Sequence, residues 1–90
     1  MKGEVVTLVT HVGEVIGRVA SFEGDRIVLD HPRLFVNQEG GSGLAPGICM
    51  TGVQDPSEGV FFKGSVVAVV ATADELVKAW QQQTSGIILK

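Results

Sequence analysis

The sequence is poor in the residues that stabilise small proteins by covalent bonds or metals. It has a single cysteine, Cys49, so no internal disulfide can form, and its two histidines have no zinc-ligand spacing to that cysteine. A chain of 90 residues is one domain, and it buries only about 60 to 65% of its unfolded surface. We therefore expect a single domain over 1–90 that holds no metal or cofactor and gains stability by association with further copies.

Long apolar runs and an excess of positive charge are also missing. No segment approaches the roughly 18 apolar residues of a membrane span, and residues 1–4 lack a signal-peptide core. These absences predict a cytoplasmic protein with no membrane partner. The net charge of −3 argues against non-specific adhesion to nucleic acid, although a local basic site remains compatible with it. The three arginines, Arg18, Arg26 and Arg33, are interpreted as solvent-facing strand positions.

Residues that carry catalytic chemistry do not form a recognisable arrangement. Cys49 has no assignable base, and the serines lie in no nucleophile-elbow pattern. The glycine-rich stretch 40–43 lacks the lysine and the following helix of a phosphate-binding loop, so a flexible hairpin tip is the better interpretation. We expect no enzymatic activity.

The stretch 60–70 is the most informative of the chain. Two apolar segments are separated only by Lys63-Gly64-Ser65, a pattern typical of two strands joined by a tight turn. The second segment, Val66 to Ala71, is apolar at every position and must be covered on both faces. Either it lies at the centre of the fold, or a second subunit covers it.

The remaining β-rich segments predict a small, strongly bent antiparallel barrel of about five strands. Strands are expected over 4–10, 14–22 and 26–30, and a further short strand is expected over 48–53 within the irregular region 37–59. Gly17, inside the second strand, indicates a bend, a bulge or a close backbone approach. Four phenylalanines and one tryptophan are the aromatic residues. Of these, three phenylalanines in strand patterns are assigned to the core: Phe22, Phe61 and Phe62.

One helix follows the strands, roughly over 73–84. Thr72 and Glu75 have the spacing of a capping box, and Trp80 lies on a narrow apolar stripe that indicates packing. Gly86 is expected to end the helix, and residues 87–90 form an apolar tail.

Two motifs in this order resemble those of Sm-like (LSm) proteins. The stretch 12–23, VGEVIGRVASFE, is similar to the first Sm motif, with one residue fewer between its glycines than the commonest form. The stretch 61–69, FFKGSVVAV, fits the second motif of two apolar residues, Arg or Lys, Gly and an apolar strand. The turn after Glu23 departs from the family, since it has neither the aromatic or His nor the Asn that bind a base. The helix also follows the strands here, whereas the family helix precedes them.

The resemblance implies a five-stranded barrel of the Sm-like, SH3 type that closes into a homo-oligomeric ring of about five to seven subunits. Single-stranded nucleic acid, with RNA favoured over DNA, would bind at turns facing the pore. Four residues then correspond to the binding positions: Asp25, Arg26, Lys63 and Gly64. Rings form when the fourth strand of one subunit pairs with the fifth of its neighbour, which would place Val66, Val67 and Val69 at the interface.

A second hypothesis gives the same small barrel a structural or protein-interaction role without nucleic acid. The acidic composition and the departures in the turn after Glu23 favour it. The region 37–59 and the apolar tail would then be the contact surfaces.

Overall fold

The computed structural model describes residues 1–88 and shows a mainly β protein with one C-terminal helix. Leu89 and Lys90, the end of the predicted apolar tail, lie outside the described residues. The strands in chain order are β1 (Val5–Thr10), β2 (Gly13–Glu23), β3 (Arg26–Gln38), β4 (Gly41–Leu44), β5 (Glu58–Phe62) and β6 (Val66–Ala71). A 3-10 turn (Lys63–Ser65) joins β5 to β6, and the helix α1 spans Asp74–Ile88.

The six strands form one antiparallel sheet in the order β4-β3-β2-β1-β6, with β5 also paired to β3. β3 is long enough to have two neighbours on the same edge: its first half pairs with β5 and its last residues pair with β4. In the part of the chain that the structure describes, no ladder joins β5 to β6, so the sheet is not closed. β6 therefore lies at an edge, and of the two alternatives for this strand, the central position in the fold is wrong.

The sheet must nevertheless curl strongly. In a flat sheet, β5 and β6 would be about 19 Å apart, because neighbouring strands are spaced about 4.8 Å apart. The connection from Phe62 to Val66 has only four Cα steps of about 3.8 Å each, and its 3-10 turn shortens it further. The two edges of the sheet are consequently drawn towards each other at this turn.

The concave side of the curled sheet holds the core. Six buried apolar side chains form one cluster there: Val6, Leu8, Val15, Val19, Ile27 and Leu29. Phe61, Val66 and Val69 are partly buried and pack against this cluster. The assignment of Phe61 to the core is thus confirmed, and two residues of the predicted subunit interface, Val66 and Val69, are also packed within their own subunit.

Gly17 lies where the pairing of β2 with β3 shifts register. Ile16 pairs with Arg33 but Arg18 pairs with Asp30, so Gly17 alone opposes two residues of β3. A Cβ on Gly17 would lie 3.0 Å from the Leu29 Cβ and 3.1 Å from the carbonyl oxygen of Asp30. The bulge and the close approach expected from the sequence are both confirmed.

We expect Gly17→Ala to lower the free energy of unfolding by about 1–3 kcal/mol, because its methyl group would force the backbone of β3 to move. Urea denaturation followed by tryptophan fluorescence would measure the change. Gly43→Ala in β4 is the matched control, since a Cβ there meets no atom within 4 Å. Equal effects of the two substitutions would contradict a specific requirement for glycine at position 17.

Helix α1 packs on the convex side of the sheet. Trp80 is fully buried, and its indole Nε1–H donates a hydrogen bond to the carbonyl oxygen of His31 (2.8 Å). The hydroxyls of Thr72 and Thr7 lie 2.9 Å apart, which ties the start of the helix to β1. The packing role of Trp80 is confirmed. The helix starts one residue later than a cap at Thr72 requires, and it continues through Gly86 to Ile88, so the expected cap and end are wrong.

Arg33 is fully buried on the convex side, which contradicts its interpretation as a solvent-facing residue. Its Nη2 lies 3.1 Å from a carboxylate oxygen of Asp55, and its Nη1 donates to the carbonyl oxygen of Pro32. Burial lowers the pKa of Arg33, and the Asp55 carboxylate opposes that shift. Asp55 adopts a left-handed backbone conformation (φ +52°), which aspartate adopts more readily than most residues, and the ion pair connects the loop 45–57 to β3.

Hydrogen bonds near both ends of the loop 45–57 attach it to β3. The N–H of Leu34 donates to the carbonyl oxygen of Gly47, and the N–H of His31 donates to that of Ser57. The strand expected over 48–53 is absent from this described segment, and β4 lies earlier in the chain instead. No helix within residues 1–88 has the length and apolar character needed to span a membrane.

Candidate nucleic-acid interface

Two turns that are distant in sequence meet at one end of the sheet. Glu23 pairs with Arg26, which leaves Gly24 and Asp25 as the turn between β2 and β3. The backbone N–H of Lys63, in the 3-10 turn, donates to the carbonyl oxygen of Asp25 (2.8 Å). The four residues that the resemblance assigns to binding are thereby brought together. We call this surface, made by residues 24–26 and 63–64, the two-turn surface.

The side chain of Lys63 is held by an aromatic ring. Its ammonium nitrogen lies 4.3 Å from the centroid of the Phe22 ring. A cation–π contact of this kind contributes about 0.5–1 kcal/mol at an exposed site. Lys63 is therefore oriented along the end of β2 while its charge remains unpaired by any carboxylate within the described residues.

Arg26 carries the second positive charge of the surface. Its Nε lies 4.0 Å from a carboxylate oxygen of Asp25, and both side chains are largely exposed. An exposed ion pair at this distance contributes less than about 1 kcal/mol. Arg26 can consequently exchange Asp25 for a phosphate at little energetic cost. Gly64 is open, since a Cβ there would meet no atom within 4 Å.

Two phenylalanines beside this surface are exposed, contrary to their assignment to the core. Phe22 is 38% exposed and Phe62 is 55% exposed. Phe62 alternates with Phe61 along β5, and because only one of two successive strand side chains can face inwards, the other must face out. Phe22 lies next to the turn, beyond the last core residues of β2. The alternation within β5 is a signal by which Phe62, at least, was recognisable from the sequence.

The predicted interface strand β6 presents apolar side chains to solvent. Val67 lies at a bulge between β6 and β1 and is 67% exposed, and Val70 is also exposed. On β5, a second edge strand, Val60 and Phe62 are exposed as well. The edge strands β5 and β6 thus both expose apolar side chains, whereas edge strands are normally protected by charge or proline.

The described residues offer no arrangement for metal binding. Residues 1–88 contain no group of three or more His, Cys, Asp or Glu side chains placed to hold an ion. Cys49 is exposed in the loop 45–57. The two-turn surface presents two cations, Lys63 and Arg26, beside the exposed rings of Phe22 and Phe62.

Comparison with known proteins finds no family model that matches this sequence and no curated protein that matches it.

Proposed function

We propose that this protein is a ring-forming, Sm-like protein that binds single-stranded nucleic acid, with RNA favoured over DNA, through Lys63 and Arg26. The observation that carries the proposal is the meeting of the β2–β3 turn with the 3-10 turn, which groups both cations at one end of the sheet. These are also the two turns that the resemblance to Sm-like proteins assigns to the pore.

The chemistry of the surface supports a single-stranded ligand. Proteins that bind single strands combine cations that follow the phosphates with aromatic rings on which bases stack. Lys63 and Arg26 supply the cations, and Phe22 and Phe62 supply exposed rings within the same end of the sheet. A closed ring would repeat these cations and aromatic rings around its pore. The positive electrostatic potential would then be concentrated at the pore, although the chain as a whole is acidic.

The curled sheet supports the barrel and the ring. The short connection between β5 and β6 draws the two edges together, as a barrel requires. Each edge has unpaired backbone groups and exposed apolar side chains, notably Val60 on β5 and Val67 on β6. Pairing of β5 in one copy with β6 in the next would cover both, and repetition of this head-to-tail arrangement closes a ring of about five to seven subunits.

We expect Lys63→Met to weaken binding of a fluorescein-labelled oligouridylate about tenfold at low salt, because it removes the charge that faces a phosphate and keeps the length of the side chain. Fluorescence anisotropy between about 50 and about 200 mM salt would measure it. The slope of log affinity against log salt should become shallower by about one unit for each phosphate that Lys63 neutralises on the bound strand.

Lys78→Met is the matched control, because Lys78 is exposed on α1 and the change in charge is the same. It should leave both affinity and salt slope unchanged. If Lys63→Met also leaves them unchanged, the binding site lies elsewhere. If the wild-type protein binds no oligonucleotide at low salt, the proposed function is wrong.

The second candidate function is a protein-interaction module, and the loop 45–57 favours it. Met50 is 97% exposed and Val53 is 79% exposed at the tip of this loop. A contiguous exposed apolar patch is typical of a contact with another protein, and Met50 and Val53 lie only three residues apart on this loop. Absence of oligonucleotide binding at low salt would shift the proposal to this function.

A further inference from the structure

An open groove of about 380 Å³ lies beside Phe22, between the end of the first Sm-like motif and the first two residues of the chain. Its walls are the end of β2 and the first two residues of the chain. The lining residues are Met1, Lys2, Ala20, Ser21, Phe22 and Glu23.

The groove is built on regular backbone pairing. The N–H of Gly3 donates to the carbonyl oxygen of Val19 (2.8 Å), and the N–H of Val19 donates to that of Glu4 (2.9 Å). The segment before β1 is thereby fixed alongside β2. Phe22 itself pairs with the buried Ile27 in the ladder between β2 and β3. The backbone that carries the Phe22 ring is consequently held in the sheet and not in a loop.

Phe22 connects this groove to the two-turn surface. It lines the groove, it is 38% exposed, and the Lys63 ammonium lies 4.3 Å from its ring centroid. Lys2 lies on the wall of the same groove. An aromatic surface flanked by two lysines matches a nucleotide, whose base is flat and apolar on its faces and whose phosphate is negative.

Glu23 decides which part of the nucleotide would enter the groove. Glu23 lines the groove and is exposed, and a carboxylate beside the groove would repel a phosphate there while it can accept a hydrogen bond from a base N–H. The phosphates would then follow Lys63, outside the groove.

We propose that Phe22 is a base-stacking residue and that one base of a bound single strand lies in the groove beside it. This inference rests on the proposed function, since it assigns a base-binding position next to the phosphate-binding Lys63. It also supplies an aromatic platform where the turn after Glu23 has neither the aromatic nor the asparagine of Sm-like proteins.

The experiment compares an oligouridylate with an oligomer of the same length whose sugars carry no bases, again by fluorescence anisotropy. The wild-type protein should bind the base-containing strand about tenfold more tightly than the abasic one. Phe22→Leu should remove most of this difference, because it weakens binding of the base-containing strand by a much larger factor than binding of the abasic strand, which loses only the ring that orients Lys63. Lys63→Met should weaken binding of both strands by similar factors.

Two further variants separate stacking from folding. Phe35→Leu is the matched control, because Phe35 lies nine residues beyond Arg26 on β3 and pairs with Leu44, away from the groove. Phe22→Trp should keep the preference for the base-containing strand, and binding should quench the fluorescence of the new indole. The natural Trp80 is fully buried and should contribute little to that quenching.

The possible failures are distinguishable. If neither strand binds to the wild-type protein, the proposed function fails. If both strands bind and Phe22→Leu leaves the preference for bases intact, or Phe22→Trp shows no quenching, only the stacking role of Phe22 is overturned.

Discussion

Trp80→Ala is expected to lower the free energy of unfolding by about 3–5 kcal/mol, a large part of the roughly 5–15 kcal/mol that a domain has. Trp80 is the largest fully buried side chain among the described residues, and its indole connects α1 to the carbonyl oxygen of His31. The substitution would empty that volume and leave the carbonyl oxygen of His31 without the indole N–H that now donates to it. It would also remove the ring below the Arg18 guanidinium, which lies 5.2 Å from the ring centroid.

Urea denaturation followed by far-ultraviolet circular dichroism is the measurement, because the variant no longer has the only tryptophan of the chain. Trp80→Phe keeps an apolar ring but loses the hydrogen bond, so its loss of stability should be smaller, about 1–2 kcal/mol. Gln81→Ala, at the exposed neighbouring position on α1, should change stability by less than about 0.5 kcal/mol. A loss below about 1 kcal/mol for Trp80→Ala would mean that the sheet is stable without its helix.

The local pattern of the sequence was sufficient to predict most of the sheet. The β-rich stretch 14–22, the turn after Glu23 and the break at Lys63-Gly64-Ser65 are all short-range signals, and each corresponds to an element of the structure. Gly17 is the best example, because a glycine inside an alternating strand has few roles other than a bulge or a close approach. The existence of α1 was equally clear, although its two ends were not.

Features that depend on distant residues were not predictable in this way. In the sequence, Arg33 resembles an exposed strand arginine followed by an apolar stretch. Its burial depends on the Asp55 carboxylate, which the loop 45–57 places beside it, and on α1, which covers the same face of the sheet. The strand expected over 48–53 fails for a related reason. Hydrogen bonds from the loop to β3, such as that from Leu34 to Gly47, satisfy backbone groups without a regular ladder.

The candidate site likewise combines residues that local sequence patterns predicted with contacts that depend on distant residues. The resemblance to Sm-like motifs predicted a binding role for Lys63 and for Arg26 separately, and only the fold places their two turns in contact. Phe22 was assigned to the core because its strand pattern continues to the turn. The last buried apolar residue of β2 is Val19, although the strand continues to the turn. The Phe22 ring is therefore left partly exposed beside Lys63.

The apolar strand β6 leads to the last prediction. A strand with six consecutive apolar residues at the edge of a sheet is a strong candidate for pairing with another chain. We expect Val67→Lys to convert the proposed ring into single subunits, because a charge would be buried unpaired against β5 of the neighbouring copy. Native mass spectrometry and light scattering during size-exclusion chromatography would measure the number of subunits.

Val53→Lys is the matched control for that experiment, since it makes the same chemical change at a 79% exposed valine on the loop 45–57. Its ring should remain intact. Val67→Lys should also bind oligouridylate more weakly than the wild-type protein at low salt, because a single subunit offers one two-turn surface instead of several that act together. If the wild-type protein is already a single subunit, the proposed ring is wrong. The exposed face of β6 would then be covered by a different protein. A ring that survives Val67→Lys would place the subunit contact away from this edge.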